Sequence, residues 1–248
     1  MPRPTVKSPE ATRRRILEAA ESLFLEHGYD GTSLRMLTTA AGVNLASVHY
    51  HFGGKEELFR AMLAALFDPL NRERAALLAE YEKAAAGRPL PCETILNALF
   101  VPTLRLARQA KRGGAGADFL RLLGRAYVDP SPVLRRFLAE RYAPMAARFK
   151  DAFARALPQF PKRELSWRLH FLMGALAYTL AGTDPWKLIA ALNPDETEND
   201  ALLLRRLAPF LTAGLQAPLP EPDRAERHSD APPRRSRVAR RSGEPVRA

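Results

Sequence analysis

The sequence is poor in the features that define several common classes of protein. It has a single cysteine, Cys92, which excludes a disulfide framework and is typical of a buried thiol in a reducing compartment. No apolar run approaches the roughly 20 residues that a membrane-spanning helix needs. The basic N-terminus is not followed by the apolar segment of a secretory signal. These absences predict a cytoplasmic protein that does not associate with membranes.

The constellations of residues that catalyse reactions or bind metals are also missing. None of the five histidines has metal-ligand spacing relative to cysteine or carboxylate residues. His49 and His51 lie two residues apart and would not share a helix face. No glycine-rich phosphate loop and no nucleophile motif is present. The sequence therefore predicts neither an enzyme nor a protein that holds a metal or cofactor.

Two short helices around a glycine turn are predicted between residues 32 and 55. Thr32 is expected to cap the first helix and Asn44 the second, because short polar side chains can accept hydrogen bonds from unpaired amides. Gly42 lies between them, where a helix end favours a residue that tolerates positive φ. Apolar residues recur at helical spacing, namely Leu34, Leu37 and Ala41 in the first helix and Leu45, Val48 and Phe52 in the second. This is the helix-turn-helix pattern, whose second helix enters the major groove of DNA.

The outward-facing residues of the second helix suit contact with DNA. Ala46 and Ser47 are small enough to let the backbone approach base edges, and Ser47 and His49 can hydrogen-bond to bases. Tyr50 and Lys55 can reach phosphates, which position a protein without reading sequence. The predicted DNA-binding residues are Thr32, Ser33, Asn44, Leu45, Ala46, Ser47, His49, Tyr50 and Lys55.

Residues 13–59 resemble the DNA-binding domain of the TetR/AcrR family of bacterial transcriptional regulators. The segments that carry the resemblance are ILEAAESLF, HGYDGTS, the AAGV turn, YHF and GKEELF. The sequence departs from the family at His49, where many members have an aromatic residue, and at Gly54, where Ser or Asn usually caps the fourth helix. The resemblance implies a homodimer in the cytoplasm, associated with the nucleoid, that binds a pseudo-palindromic double-stranded DNA operator and responds to a hydrophobic small-molecule effector.

The rest of the chain shows helical periodicity without strand-like alternation, so the predicted fold is all-α. We expect an N-terminal three-helix helix-turn-helix domain at 10–55 and a larger helical domain for effector binding and dimerisation at 56–217. Residues 1–9 and 218–248 are expected to be a basic arm and an Arg/Pro-rich tail, both disordered. The first helix is predicted at 10–27. After the helix-turn-helix, further helices are predicted at 55–81, 93–111, 119–127, 133–157, 165–180 and 201–215.

Three further local features are predicted: a break in one helix, a cap on another, and a short helix before the last one. Pro69 is expected to kink or split the fourth helix, because proline lacks an amide hydrogen. Asp118 is expected to cap the helix that begins FLRLLGRAY. The segment TDPWKLIAALNPDETEND is expected to be a short helix followed by an acidic loop.

The net charge of +11 is concentrated at the two ends of the chain. Lysine and arginine outnumber acidic residues by five to one in residues 1–15 and by six to one in residues 231–248. A basic tail either adds phosphate contacts that do not depend on sequence, or serves as a solubilising end. The second alternative is favoured because such a tail is not part of the family pattern.

Apolar residues of the middle helices form a candidate effector site: Phe100, Leu104, Phe119, Leu122, Leu123, Tyr127, Met145, Phe149, Trp167, His170, Phe171 and Gly174. An ordinary helical core is the alternative for each of them. Glycines and prolines inside these helices favour a cavity because they interrupt tight packing. Arg121, Arg125 and Arg168 are candidates for a charged group at its mouth.

A second resemblance narrows the predicted effector. FLRLLGRAY, LRRFL and SWRLHFLMGALAYTLAG are similar to the PsrA-like, fatty-acid-responsive branch of the family. This similarity implies a repressor released from DNA by a long-chain fatty acid or acyl-CoA. The alternative is a regulator that responds to another hydrophobic compound or to no small molecule. The broad apolar surface of the helix at 165–180 predicts dimerisation through this helix and the helix at 201–215.

Overall fold

The computed structural model describes residues 8–112, 116–181 and 200–219. Within these ranges the chain forms helices and turns but no strand, which confirms the all-α prediction. The helices are α1 Pro9–Gly31, α2 Leu34–Ala41, α3 Leu45–Phe52, α4 Lys55–Ala85, α5 Cys92–Arg112, α6 Gly116–Val128, α7 Pro132–Ala156, α8 Lys162–Ala181 and α9 Asp200–Gln216.

Helix α1 starts at a serine cap and is interrupted near its end. The Ser8 hydroxyl accepts a hydrogen bond from the amide of Ala11 at 3.1 Å. Gly28 has φ +70° and ψ −173°, which breaks the helix where glycine was expected to end it. The apolar stripe predicted for α1 is Ile16, Ala19, Ala20, Leu23 and Phe24. All are buried except Leu23, which is half-buried against the core.

Helix α4 connects the region of α1–α3 with the remaining helices. It continues from Lys55 to Ala85 with Pro69 inside, so of the two expectations, a kink or a split, the split at Pro69 is wrong. Asp68, next to this proline, accepts hydrogen bonds from Arg141 at 3.0 and 2.7 Å and from the Tyr142 hydroxyl at 2.8 Å. These bonds join α4 to α7 beside the position where α4 lacks an amide hydrogen.

A second set of ion pairs joins the same two helices 14 residues further along α4. Glu82 of α4 pairs with Arg148 and with Arg155 of α7, each at 2.7 Å. Because Asp68 and Glu82 lie almost four turns apart on α4, the two sets hold a long stretch of α4 against α7. The two sets therefore fasten the stretch of α4 from Asp68 to Glu82 to α7.

The later helices pack around α5 and α6. Helix α6 contacts α5 on one side and α8 on the other, and α9 packs on α5 and α8. One apolar core runs through all of them, with fully buried side chains such as Ile95, Leu96 and Leu123. The described residues up to Ala217 form one compact unit. A division of that unit at residue 55 into two domains stays a prediction.

Several expectations are corrected by the structure or lie outside it. Helix α6 begins at Gly116, so Asp118 lies inside the helix and does not cap it as predicted. The short helix and acidic loop expected after Ala181 fall outside the described residues, as do residues 1–7 of the N-terminal arm and nearly all of the tail. The arm was predicted to reach residue 9, but Ser8 caps α1 and Pro9 begins it. Among the helices that the structure describes, none is long and apolar enough to cross a membrane.

Candidate functional site

The first helix of the helix-turn-helix is capped by Ser33 rather than by Thr32. The Ser33 hydroxyl accepts a hydrogen bond from the amide of Met36 at 3.2 Å, and α2 begins at Leu34. Thr32 is 1% exposed, and its hydroxyl donates inward to the carbonyls of Gly28 at 2.7 Å and Leu23 at 3.3 Å. The predicted cap was therefore wrong by one residue. The Thr32 side chain ties α2 to the end of α1 and faces away from solvent.

The turn between α2 and α3 has the geometry that its sequence predicts. Gly42 adopts the left-handed conformation, with φ +59° and ψ +44°. The amides of Gly42 and Val43 bond back to the carbonyls of Thr39 and Thr38, which is the Schellman arrangement. Asn44 then caps α3 by accepting from the Ser47 amide at 2.8 Å. The predictions for Gly42 and Asn44 are confirmed.

Helix α3 separates into a buried face and an exposed face. Val48 and Phe52 are buried against the core, as their spacing predicts. Leu45 is 49% exposed, so it does not belong to the inner stripe in which we placed it. Tyr50 is 82% exposed and lies on the outward face together with Leu45, Ala46 and His49. An apolar leucine and a tyrosine thus stand in solvent on a helix of only eight residues.

Two of the outward side chains are already held by hydrogen bonds. The Ser47 hydroxyl donates to the Asn44 side-chain oxygen at 2.9 Å. His49 Nδ1 lies 2.8 Å from the Gly53 carbonyl, so this nitrogen carries the hydrogen of the bond. When the ring is neutral, this tautomer leaves Nε2 as an acceptor. Both contacts restrict the side chains to orientations set by the ends of α3.

Lys55 lies partly inside the corner formed by α1 and α4. Its ammonium is 4.3 Å from the centre of the Tyr29 ring, and that ring packs edge-on against Phe59 at 5.1 Å. Burial lowers the pKa of Lys55 and raises the pKa of the Tyr29 hydroxyl. A phosphate contact from Lys55 would require its side chain to leave the Tyr29 ring, which the sequence did not indicate.

One cation near the outward face was missed by the sequence reasoning. Arg35 is exposed on α2, two residues after the Ser33 cap. In a helix-turn-helix the first helix crosses the DNA backbone, so an exposed cation at its start is positioned for a phosphate. The signal available in the sequence was the presence of a lone cation between apolar residues of a short amphipathic helix.

The end of α1 docks on the end of α6 through a buried carboxylate. Asp129 is 3% exposed, and its two oxygens accept from the Tyr29 amide at 3.3 Å and the Ser131 amide at 3.0 Å. Arg125 Nε approaches the same carboxylate at 3.9 Å. Gly28 fits closely here, since an added Cβ would lie 2.9 Å from an Asp129 oxygen. The α1–α3 region therefore has a direct contact with α6 besides its continuation into α4.

The predicted effector residues divide into two groups. Most are buried or half-buried and lie on α5, α6 and α7: Phe100, Leu104, Phe119, Leu122, Leu123, Tyr127, Met145 and Phe149. The other four lie on the outward face of α8. Trp167 is 52% exposed and Phe171 is 64% exposed, their rings stack at 5.9 Å, and His170 is exposed beside them. Gly174 faces open space, so it does not line a site together with the first group.

The three arginines considered for a cavity mouth have other surroundings. Arg168 is 7% exposed, pairs with Glu164 at 2.7 Å and donates to carbonyls at the end of α9, including that of Leu215 at 2.9 Å. It therefore closes the C-terminus of α9. Arg125 lies at the α1–α6 contact, and Arg121 is exposed on α6. A surface cleft of about 180 Å³ lies elsewhere, lined by residues of α4, α7 and the loop after α4.

Family comparisons identify both parts of the described chain. Residues 16–62 match the family described as bacterial regulatory proteins of the tetR family. Residues 97–214 match the tetracyclin repressor-like C-terminal domain. The first match contains α2, α3 and the start of α4, and the second runs from α5 into α9.

The chain resembles curated transcriptional regulators over part of its length. It is 42% identical over 76 residues to the HTH-type transcriptional repressor AcnR of Corynebacterium efficiens, which is 31% of this chain and 36% of that protein. It is 39% identical over 70 residues to the HTH-type transcriptional regulator SrpR of Pseudomonas putida, covering 28% of this chain and 33% of that protein. The matches thus span about a third of the length of these relatives.

Solved structures match the fold over most of the chain. The ketosteroid transcriptional regulator KstR2 of Mycobacterium tuberculosis aligns with a TM-score of 0.54 at 14% identity, covering 85% of this chain and 98% of that one. The hemolysin II transcriptional regulator HlyIIR aligns with a TM-score of 0.50 at 19% identity, covering 83% and 99%. At such identities the likeness concerns the fold alone.

Proposed function

The chain belongs to the TetR family of bacterial transcriptional regulators, and from this premise we propose that it is a repressor that binds operator DNA as a homodimer and leaves the DNA when an effector binds. The observation that carries the proposal is the capped helix α3, whose outward face exposes Leu45 and Tyr50 on a short, rigidly anchored element. An exposed face of this kind is positioned to enter a major groove.

The side chains of this face divide into those that read bases and those that contact phosphates. Ser47 and the free Nε2 of His49 are suited to base edges, and Ala46 permits close approach. Tyr50 is suited to the backbone, together with Arg35 of α2. Lys55 joins this second group after release from the Tyr29 ring. Ser33, Asn44 and Leu45 complete the interface, whereas Thr32 contributes by fixing the start of α2.

Homodimerisation is supported by the apolar surface that α8 and α9 expose. Trp167, Phe171 and Tyr178 on α8 and Phe210 on α9 are each more than half exposed. A set of exposed aromatic residues is typical of a surface that a partner covers. A second copy packing through α8 and α9 would form a four-helix interface and place two α3 helices about one DNA turn apart.

The proposed effector binds among α5, α6 and α7, where the first group of apolar residues lies. The sequence similarity to the PsrA-like branch favours a long-chain fatty acid or acyl-CoA. Asp129 links the end of α6 to α1, so a ligand that displaces α6 also shifts the α1–α3 region. The alternative, a regulator that responds to another hydrophobic compound or to none, rests on the same DNA-binding face.

Selection of binding sites from random duplex DNA tests the DNA-binding part of the proposal. The full chain is expected to enrich one pseudo-palindromic sequence with two half-sites about one helical turn apart. Sedimentation of the protein alone should give a dimer at micromolar concentration. Recovery of no common sequence, or tight DNA binding by a monomer, would contradict the proposed function.

Titration of effectors into the operator complex tests the regulatory part. Oleate, oleoyl-CoA and a neutral steroid are added while fluorescence anisotropy follows a labelled operator. Release by an acyl compound supports the fatty-acid assignment, and release by the steroid alone supports the alternative effector class. If no compound releases the DNA, the acyl-effector assignment is wrong, and the DNA-binding part of the proposal stands alone.

A further inference from the structure

An arginine is buried in the middle of the larger helical region. Arg74 lies on α4 and is 5% exposed. Its Nε donates to the Leu99 carbonyl at 3.1 Å, Nη1 to the Tyr127 hydroxyl at 3.2 Å, and Nη2 to the Thr103 hydroxyl at 3.1 Å. All three acceptors are neutral. Among the described residues no carboxylate forms an ion pair with Arg74.

Such an arrangement is costly for a residue that only stabilises the fold. A guanidinium cannot lose its proton in a protein, so it remains charged when it is buried. A buried charge without a counter-charge keeps most of its desolvation cost. Arg168 shows the contrasting case in this same chain, because it is similarly buried but pairs with Glu164 at 2.7 Å and donates to the free carbonyls of α9.

The hydrogen bonds of Arg74 leave two of its five N–H donors without an acceptor among the described residues. A guanidinium has five N–H groups, and three of them are used. The two that remain, one on each terminal nitrogen, match in number the pair that a carboxylate accepts in a bidentate contact. The Tyr127 hydroxyl accepts from Arg74, so its own hydrogen is available to the same anion.

The surroundings of Arg74 are those of the proposed effector region. Leu99 and Thr103 on α5 flank Phe100, and Tyr127 on α6 packs edge-on against Phe67 at 5.5 Å. Pro102 lies in the same turn of α5 and deprives it of one helical hydrogen bond. The buried charge therefore meets apolar side chains at a place where α5 is locally weakened.

We propose that Arg74 is the anion anchor of the effector site, and that the effector is an apolar molecule with a free carboxylate. The carboxylate pairs with Arg74 and accepts from Tyr127, while the apolar body packs between α5, α6 and α7. This inference rests on the proposed function, because it specifies the ligand class of that same site. It favours a free acid over a thioester, which carries no charge at the acyl carbon.

The test compares each acid with its uncharged amide on the full-length protein. Isothermal titration calorimetry measures a series of straight-chain carboxylates from octanoate to oleate, each against the amide of equal length. The wild-type protein is expected to bind the best acid at least about tenfold more tightly than its amide, since hydrogen bonds to a charged group are the strong ones. Arg74→Met should bring that ratio close to one.

Controls separate a ligand contact from a structural role. Arg72→Met removes an exposed arginine two residues away on α4 and should leave the ratio unchanged. Arg74→Met should keep a cooperative thermal transition but lose the upward shift that the acid produces in the wild type. If Arg74→Met does not fold, Arg74→Lys and Tyr127→Phe replace it, and each is expected to lower the ratio several-fold.

The outcomes distinguish this inference from the proposed function. Equal binding of acid and amide, binding of neither, or an unchanged preference in a folded Arg74 variant would overturn the inference. If amides release operator DNA as well as acids do, the proposed function is supported and the inference about Arg74 is wrong. An Arg74-dependent preference for acids in a protein that selects no DNA sequence would instead support the inference and contradict the proposed function.

Discussion

Among the glycines whose surroundings the structure describes, Gly28 should tolerate substitution least, because it combines a strained backbone angle with a close contact. Its φ of +70° lies in a region that residues with a side chain rarely adopt. An added Cβ would lie 2.5 Å from Arg125 Nη2 and 2.9 Å from an Asp129 oxygen. The Arg125 terminus can move aside, whereas Asp129 is 3% exposed and held by two backbone amides.

The cost of Gly28→Ala follows from these two contributions. The positive φ costs about 1–3 kcal/mol for a residue with a side chain. Displacing Asp129 weakens its hydrogen bonds to Tyr29 and Ser131, each of which contributes about 1 kcal/mol. The expected loss in the free energy of unfolding is therefore roughly 3 kcal/mol.

Gly87 offers a matched control for the backbone contribution. It has φ +85°, and an added Cβ would meet nothing within 4 Å. Gly87→Ala should therefore cost only about 1–2 kcal/mol, the penalty of the left-handed conformation alone. Urea denaturation followed by circular dichroism measures both variants. Equal losses for the two would refute the argument that the α1 corner is tightly docked on Asp129.

Four further changes have defined outcomes. Ser33→Ala should lower the free energy of unfolding by about 1 kcal/mol, because it removes the cap of α2. Thr32→Val should lower it by about 1–3 kcal/mol, because the Gly28 carbonyl loses its donor. If chemical denaturation finds neither variant less stable than the wild type, the assigned roles of Ser33 and Thr32 are wrong. Lys55→Ala should lower the melting temperature, because the ammonium stacks on the Tyr29 ring. It should also lower DNA affinity, because it removes the proposed phosphate contact. A variant that loses only one of the two properties would separate these roles. Hydrogen bonds from Arg141 hold the pKa of Asp68 below its ordinary value, so the stability this pair contributes is present above about pH 4 and is lost as the pH falls through the folded-state pKa. The melting temperature of Asp68→Asn should accordingly lie below that of wild type at neutral pH and approach it in acid, and a constant difference would exclude this ion pair as the cause.

The helix-turn-helix could be predicted closely from sequence because local chemistry decides it. Gly42 and Asn44 occupy positions where backbone angle and capping leave few alternatives, and both behave as expected. The error at Thr32 arose because two adjacent residues can both cap a helix. Burial of the Thr32 side chain against the end of α1 decided between them, and such a tertiary contact is not visible in a short sequence window.

The effector region was less predictable because an apolar residue looks the same in a core, a cavity or an interface. Phe100 and Trp167 were grouped together from sequence, yet the structure buries one and leaves the other 52% exposed. The arginine that matters in our proposal was also missed. Arg74 stands in the polar-looking segment NRERA, and only the packing of α5 and α6 on α4 shows that it is buried.

The central claim is that the outward face of α3 reads DNA sequence, and the ratio of dissociation constants for selected and scrambled duplexes tests it most directly. The ratio is measured by fluorescence anisotropy for the wild type, His49→Ala and Arg35→Ala. The wild type should prefer the selected duplex by roughly a thousandfold or more. His49→Ala should lower that preference, whereas Arg35→Ala should weaken binding to both duplexes equally. Equal affinity of the wild type for the two duplexes would contradict the claim.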